Sequence, residues 1–532
     1  MKAIQKIYRF LRKYEERIYF ILLLCMALSF SFSRFYLRTF EIILVALFVL
    51  SGNYREKWFS LKKNKALMVL PSLFFLYLIG LIYAVDLGEG IKYLRVIMPW
   101  LGLPVIIGAY SGFSRKQLHL LLRVFVLGVL IHTLLSYLSY LGLPLWEVKN
   151  YRELNLFINT HRFVLTIVLS VIFTAYLTKS TWTSLSTIQK TGYLILLFWL
   201  VYFLVFSKIL TGILVLLAIT AGYGIFVLLS YRNIYVRLVS LLVLIVLTGF
   251  IGKRLYVIYN DFWGVPDVQT MDLPEKTEQG NSYAHDLNSK ELENGYYVNL
   301  FVCEKELRKE WNERSDKDYN SSIGYYGKLS IVIKRYLTSR GLTKDSVGIS
   351  KLTRGEIDAI ENGVVNHKFQ PLDFTDRLYL VAKEIHQYQI KEKPLGPFTA
   401  RLYAMKLGFE MFKQKPLLGY GTHSLNTLFE EHYEQTEKEG RLFVPSHNQY
   451  LRYLIELGIL GLLWFLIALF YPFLRVKGYR YFLFNGMMAY YLLASTMNNT
   501  FSAQLALTIF VTFYSVFFVY FNTASNKPAG LK

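Results

Sequence analysis

The sequence predicts an all-α, polytopic membrane protein of about twelve transmembrane helices, with a large, mainly helical periplasmic lobe between helices nine and ten. Three observations predict it. The 532 residues are 54% hydrophobic and 18% charged, with a mean hydropathy of +0.33, too apolar for a soluble enzyme of this length. Apolar runs approaching the roughly 20 residues that cross a bilayer recur along the chain. One long polar stretch, 253–446, interrupts them. The net charge of +22 could serve nucleic acid, but in a chain of this composition lysines and arginines retained in cytoplasmic loops account for it.

Taken in order, the spans read as 18–33, 37–52, 66–84, 92–111, 117–142, 163–178, 192–207, 209–230, 236–252, 448–474, 481–497 and 502–521. The first follows Lys13 and Arg17 without a signal-cleavage pattern and reads as an uncleaved start-transfer segment. Orientation follows from the short loops, because positive charge near span ends stays cytoplasmic. Arg12 and Lys13, the cations of 55–65, Arg115 and Lys116, Lys179 and Lys190, Arg232 and Arg237, and Arg475, Lys477 and Arg480 fall on one side of a twelve-span count. That side is cytoplasmic and holds both termini, so the polar stretch faces outward, which in a bacterium is the periplasm. The chain thus divides into 1–252, the first nine spans; 253–446, the lobe; and 447–532, the last three spans.

The lobe opens on polar residues around 274–281 that read as mobile. Helices follow: a charged one after Cys303, an apolar-periodic run over 329–337 closed by Arg340-Gly341, and Thr353-Arg354-Gly355-Glu356 as a capping box with Gly363 at the far end. A last amphipathic helix, from 399 to about 413, sets Leu402, Met405, Phe409 and Phe412 on one face, with Arg401 in its first turn. Cys25 and Cys303 have no spacing that pairs them or binds a metal.

The tenth span carries the chemistry. Ser446-His447-Asn448 leads straight into an apolar helix, which puts an imidazole at the outer mouth of a membrane span. Such a group titrates near neutrality and is reachable by a lipid and by a water-soluble substrate. Ser446 reads as the helix cap, leaving first-turn N–H groups beside His447 as a hook for an anion such as a phosphate. Gly458 and Gly461 would let a neighbouring helix or a lipid chain approach the backbone. Arg452 and Glu456, four apart, can neutralise each other at shallow depth. His161-Arg162 lies at the outer end of the sixth span, on the same side, and His423 reads as a surface histidine.

The pattern His447-Asn448, nine residues, Gly458, two residues, Gly461 resembles the signature of the bacterial O-antigen ligase and O-antigen polymerase family. Two further stretches are similar to that family's. Arg401 with a short helix precedes the turn Pro416-Leu417-Leu418-Gly419-Tyr420-Gly421, and Ser207-Lys208 opens a span with Gly212 following, where Lys208 stands in place of the usual arginine. The resemblance implies a metal-independent, inverting glycosyltransferase of the inner membrane, needing no cofactor. Its donor would be a glycan on undecaprenyl diphosphate and its acceptor a hydroxyl at the periplasmic face, most simply that of lipid A-core, as in O-antigen ligases of lipopolysaccharide biosynthesis. His447 would be catalytic; Arg401, Lys208 and Arg162 would hold the diphosphate; Ser446, Asn448, Gly419, Gly421, Gly458 and Gly461 would support them. O-antigen polymerase and protein O-oligosaccharyltransferase share this outline. A transporter of the same lipid carrier is the reading from a different class, but it calls for charged or broken helices at mid-bilayer and a pseudo-repeat. No such repeat is visible, and the polar candidates collect at the outer ends.

Overall fold

The computed structural model describes residues 2–110, 112–143, 154–155, 157–323, 327–369, 374–392, 394, 396–436 and 446–525. Ten helices come first: α1 (Lys2–Ser29), α2 (Arg34–Leu50), α3 (Tyr54–Lys63), α4 (Ser72–Gly80), α5 (Leu87–Gly108), α6 (Arg115–Tyr140), α7 (Thr160–Thr181), α8 (Thr187–Phe206), α9 (Leu210–Ser230) and α10 (Ile234–Phe262). Short helices and two hairpins follow: β1 (Leu292–Glu293), β2 (Tyr296–Tyr297), α11 (Glu304–Arg314), β3 (Ser322–Ile323), β4 (Gly327–Lys328), α12 (Leu329–Ser339), α13 (Ser346–Ser350), α14 (Arg354–Glu361) and α15 (Phe374–Lys391). The chain closes with α16 (Pro397–Gln414), α17 (Ser424–Thr436), α18 (Gln449–Arg475), α19 (Phe482–Ala494) and α20 (Gln504–Ser525). Two compact units form, one from Met1–Gly222 with Arg401–Lys532, the other from Tyr223–Ala400.

Each of the twelve expected spans falls on a helix, but not all twelve are long enough to cross. Among the described residues nine helical stretches are sufficiently long and apolar, and α2 joins α3 at a bend of 113° as a tenth candidate. α1 falls short because Arg12, Lys13, Glu15, Glu16 and Arg17 occupy its middle. α19 has only 13 residues. In the first unit α20 is the central helix: Phe513 meets Phe125 of α6 and Phe173 of α7 at ring separations of 5.1 and 4.8 Å. Interlocked rings of this kind give membrane helices the packing that no hydrophobic drive supplies inside lipid.

The second unit has its own core, in which Leu307, Trp311, Val332, Ile333, Leu337, Ile349 and Ile360 are buried together. Thr353 and Glu356 form the expected capping box, and Gly341 and Gly363 take the left-handed conformation that ends a helix. Residues 274–281 are a correction: they form a bonded turn. The Thr277 N–H donates to the Asn281 carbonyl (2.8 Å), and the Thr277 hydroxyl donates to the buried Glu306 (2.5 Å). A buried carboxylate demands donors, and this polar turn supplies them. Glu293, fully buried on β1, is held by Arg335 and Lys383. Burial alone would raise its proton affinity, yet the two cations keep its carboxyl below the usual range.

Candidate active site

α18 does not run unbroken through the histidine motif. At Gly458 the backbone turns to φ +66° and ψ −172°, a region open in practice only to glycine. Such a break strips helical partners from the carbonyls before it and the N–H groups after it. Inside a membrane every such group must find another partner. The turn at 416–422 provides them. Tyr420 N–H donates to the Ile455 carbonyl (2.9 Å) and Gly421 N–H to that of Glu456 (2.8 Å), while Ile459 N–H donates to Pro416 (2.8 Å) and Leu460 N–H to Leu417 (3.4 Å).

Glycines make this exchange sterically possible. Gly458 lies against the Leu417 carbonyl, Gly419 (φ +70°) against the backbone of Ile455 and Glu456, and Gly421 (φ +95°) against Ala84. A side chain at any of the three would overlap main chain. Thr422 completes the wedge on α4, with its N–H on the Gly80 carbonyl (3.0 Å) and its hydroxyl on that of Tyr77 (2.5 Å). The close approach expected at the glycines is therefore made by the backbone of the glycine turn, and Gly461 packs against Leu457 of its own helix. α16 joins the same assembly through its small residues. Ala404 is buried, and Gly408 fits against Leu451 and Ile455. Of the four residues expected on one face, Met405 and Phe412 pack on this cluster, while Leu402 and Phe409 are exposed.

The mouth of α18 is closed differently from expectation. Asn448, not Ser446, caps the helix: its side-chain oxygen accepts from the N–H groups of Tyr450 (3.0 Å) and Leu451 (3.1 Å). Gln449 N–H donates to the Ser495 carbonyl, and Arg452 N–H to that of Asn448. The first-turn donors are thus all occupied, so they form no anion hook. Ser446 is buried, with its hydroxyl lacking a partner among the described residues. Gln449, which sequence reasoning passed over, is fully buried and bolts the mouth to the turn that precedes α20. Its amide donates to Ser502 Oγ (3.0 Å), and its carbonyl accepts from the N–H groups of Phe501 and Ser502. A polar residue in the first turn of an apolar helix was the available signal.

Positive charge gathers instead from side chains. His447 is partly buried, and that burial together with Arg401 and His161 beside it pushes its imidazole down to about 4. It is neutral at pH 7. His161, whose N–H is capped by Asn159, also lies near Arg401, so α7, α16 and the mouth of α18 meet here. Arg162, next in the chain, has a buried Nη1 with no hydrogen-bond partner among the described residues. Lys208 sits in the α8–α9 turn with φ +54°. Four residues on, Gly212 packs on Val164, one turn into α7 from His161, which brings the turn to the same end of α7.

Residues 363–466 match the family model described as O-antigen ligase. That stretch is similar to the O-antigen ligases. No curated protein matches the chain. The O-antigen ligase match takes in Arg401, the glycine turn, His447, Gly458 and Gly461, whereas Arg162 and Lys208 lie outside it. With nine helices among the described residues long and apolar enough to cross a membrane, the match supports a multi-pass membrane protein similar to glycosyltransferase-like enzymes at the level of the family. One further element of the matched stretch was misread from sequence. His423 is not a surface residue: its ring stacks on Tyr93 at 4.5 Å, and Nδ1 accepts from Arg452 (2.7 Å). Arg452 also pairs with the fully buried Glu456 at 2.8 Å, so the expected pair forms and is enclosed by the protein.

Proposed function

We propose that this enzyme transfers a glycan from undecaprenyl diphosphate to an acceptor hydroxyl at the periplasmic face, acting as a ligase onto lipid A-core. The observation that carries the proposal is a neutral His447 beside Arg401 and His161, with Arg162 next in the chain, whose buried Nη1 has no hydrogen-bond partner among the described residues. A neutral imidazole is the form that can take the proton of an attacking hydroxyl. The leaving group is a diphosphate, whose developing charge needs preplaced cations. Arg162 and Arg401 would grip it through planar two-point contacts and Lys208 as a point charge. In this scheme these side chains do what a divalent metal does elsewhere, and no metal is called for. A single in-line displacement involves no protein nucleophile, so the anomeric centre inverts. The lysines and arginines of the short loops support cytoplasmic termini and a lobe and active site on the periplasmic side.

The test is a transfer assay in membranes with matched protein levels. Arg401→Ala lowers transfer by about a hundredfold or more, the scale of losing one preplaced donor to a developing charge, while Lys208→Arg retains it. Wild-type transfer by Arg401→Ala would remove that residue from the site. Loss in Lys208→Arg would show that the turn demands lysine itself.

A further inference from the structure

A second cationic feature lies at the same end of the first unit and is not used by this chemistry. α2, α5 and α20 enclose a groove of about 750 Å³. Its walls are apolar over most of their length, among them Val45, Gly102, Leu103 and Ile106, and its other end carries Arg38, Lys92 and Arg95. From Arg95 to Ile106 a helix rises about 16 Å, half of the roughly 30 Å hydrocarbon core. The groove is therefore about as long as one leaflet is deep, with its cations gathered at one end.

The cationic end lies at the same end of α20 as the mouth of α18 that carries His447. Arg38 Nε donates to the Gln504 side chain at 2.8 Å, and Ser502, two residues before, is bonded to Gln449, two residues after His447. Lys92 is offset by Glu89 at 2.6 Å, and Glu41, farther along the wall, receives the Thr508 hydroxyl. Arg38 lies within electrostatic reach of Glu41 as well, so the groove end carries three cations against two carboxylates, with two guanidinium groups suited to phosphate oxygens. Basic clusters between membrane helices at headgroup depth attract anionic lipid heads, and an apolar groove beneath accommodates a chain.

We infer that this groove holds the acceptor, a phosphate-bearing lipid with straight acyl chains, presenting its glycan end to His447. The inference rests on the proposed transfer: the carrier's diphosphate is already served by Arg162 and Arg401, so a second anionic lipid meeting the first at His447 is the acceptor.

The test is direct binding to the full chain in detergent, independent of turnover, with bis-phosphorylated acylated glucosamine disaccharide (lipid A) as probe and undecaprenyl diphosphate and phosphatidylglycerol as comparison arms. One variant, Arg38→Gln with Lys92→Gln and Arg95→Gln, removes the cations. The other, Gly102→Leu, fills the groove at a position where an added Cβ meets nothing within 4 Å. Both should weaken lipid A binding by about tenfold or more while undecaprenyl diphosphate binds as to wild type, which also reports an intact fold. Unchanged lipid A binding in either variant overturns the inference. So does an equal loss for undecaprenyl diphosphate, which would give the groove to the donor, or phosphatidylglycerol binding as tightly as lipid A. Wild type that binds as expected but transfers nothing counts against the proposed function alone.

Discussion

The depressed proton affinity of His447 is the residue-scale property with the clearest consequence. A base held near 4 is already neutral throughout the physiological range, so its strength as a base is limited until charge nearby changes. The diphosphate supplies that change: its negative charge offsets Arg401 and lets the imidazole accept a proton more readily once donor is bound. In the free enzyme kcat/KM should rise with pH through about 4 and stay flat to neutrality. Histidine NMR of Arg401→Gln should show the His447 transition moved up toward the ordinary value of about 6.5, and an unmoved transition would separate the two residues. The sign for stability agrees. The unfolded chain binds the proton more readily, so the site's contribution is complete above the ordinary value and declines as pH falls through about 6.5 toward 4. His447 stood out in the sequence as a polar residue at the outer end of an apolar run, and Arg401 through the first turn of its amphipathic helix and the family resemblance. The identity of the cap was not, since Ser446 and Asn448 are both good caps and only the backbone path decides between them.

At the scale of elements, the joint between α18 and the glycine turn explains why glycines far apart in sequence belong to one motif. Each side leaves main-chain groups bare, and each satisfies the other's. Hydropathy reads residues 448–474 as one continuous span because it senses side chains, not hydrogen bonds, so the break at Gly458 was invisible to it. His423 was misread for a related reason: a Gly-Tyr-Gly turn looks like a surface loop, while here it is wedged between two membrane helices. The helix at α16 was located correctly, but its closest contacts, Ala404 and Gly408, were passed over, since in a membrane protein close contact is marked by small residues as well as large apolar ones. Gly458→Ala should be severely destabilising, by about 3 kcal/mol or more, from an unfavourable backbone conformation and overlap with Leu417 together. Gly222→Ala, where an added Cβ meets nothing within 4 Å, serves as the tolerated comparison. Detergent-solubilised thermal stability reads both, and a Gly458→Ala protein as stable as Gly222→Ala would contradict the joint.

At the scale of the whole molecule, fold class and span positions followed from hydropathy and loop charge, whereas the division into two compact units depends on packing that composition does not encode. The second unit rests on Glu293 with Arg335 and Lys383, residues whose sequence separations of 42 and 90 hide their meeting. Glu293→Gln leaves two cations without their carboxylate and should destabilise this unit by about 3–5 kcal/mol. Faster proteolytic cleavage within 292–383 is the expected readout, and wild-type resistance would show that the triad is dispensable. The account as a whole stands on His447 in the transfer step. Its most direct test compares wild type with His447→Ala, at matched membrane levels in cells lacking the native protein, by resolving surface glycolipids on gels and extracting the undecaprenyl-linked pool. The account predicts long glycan stranded on the lipid carrier and bare lipid A-core in His447→Ala. A normal glycolipid pattern in that variant would contradict it.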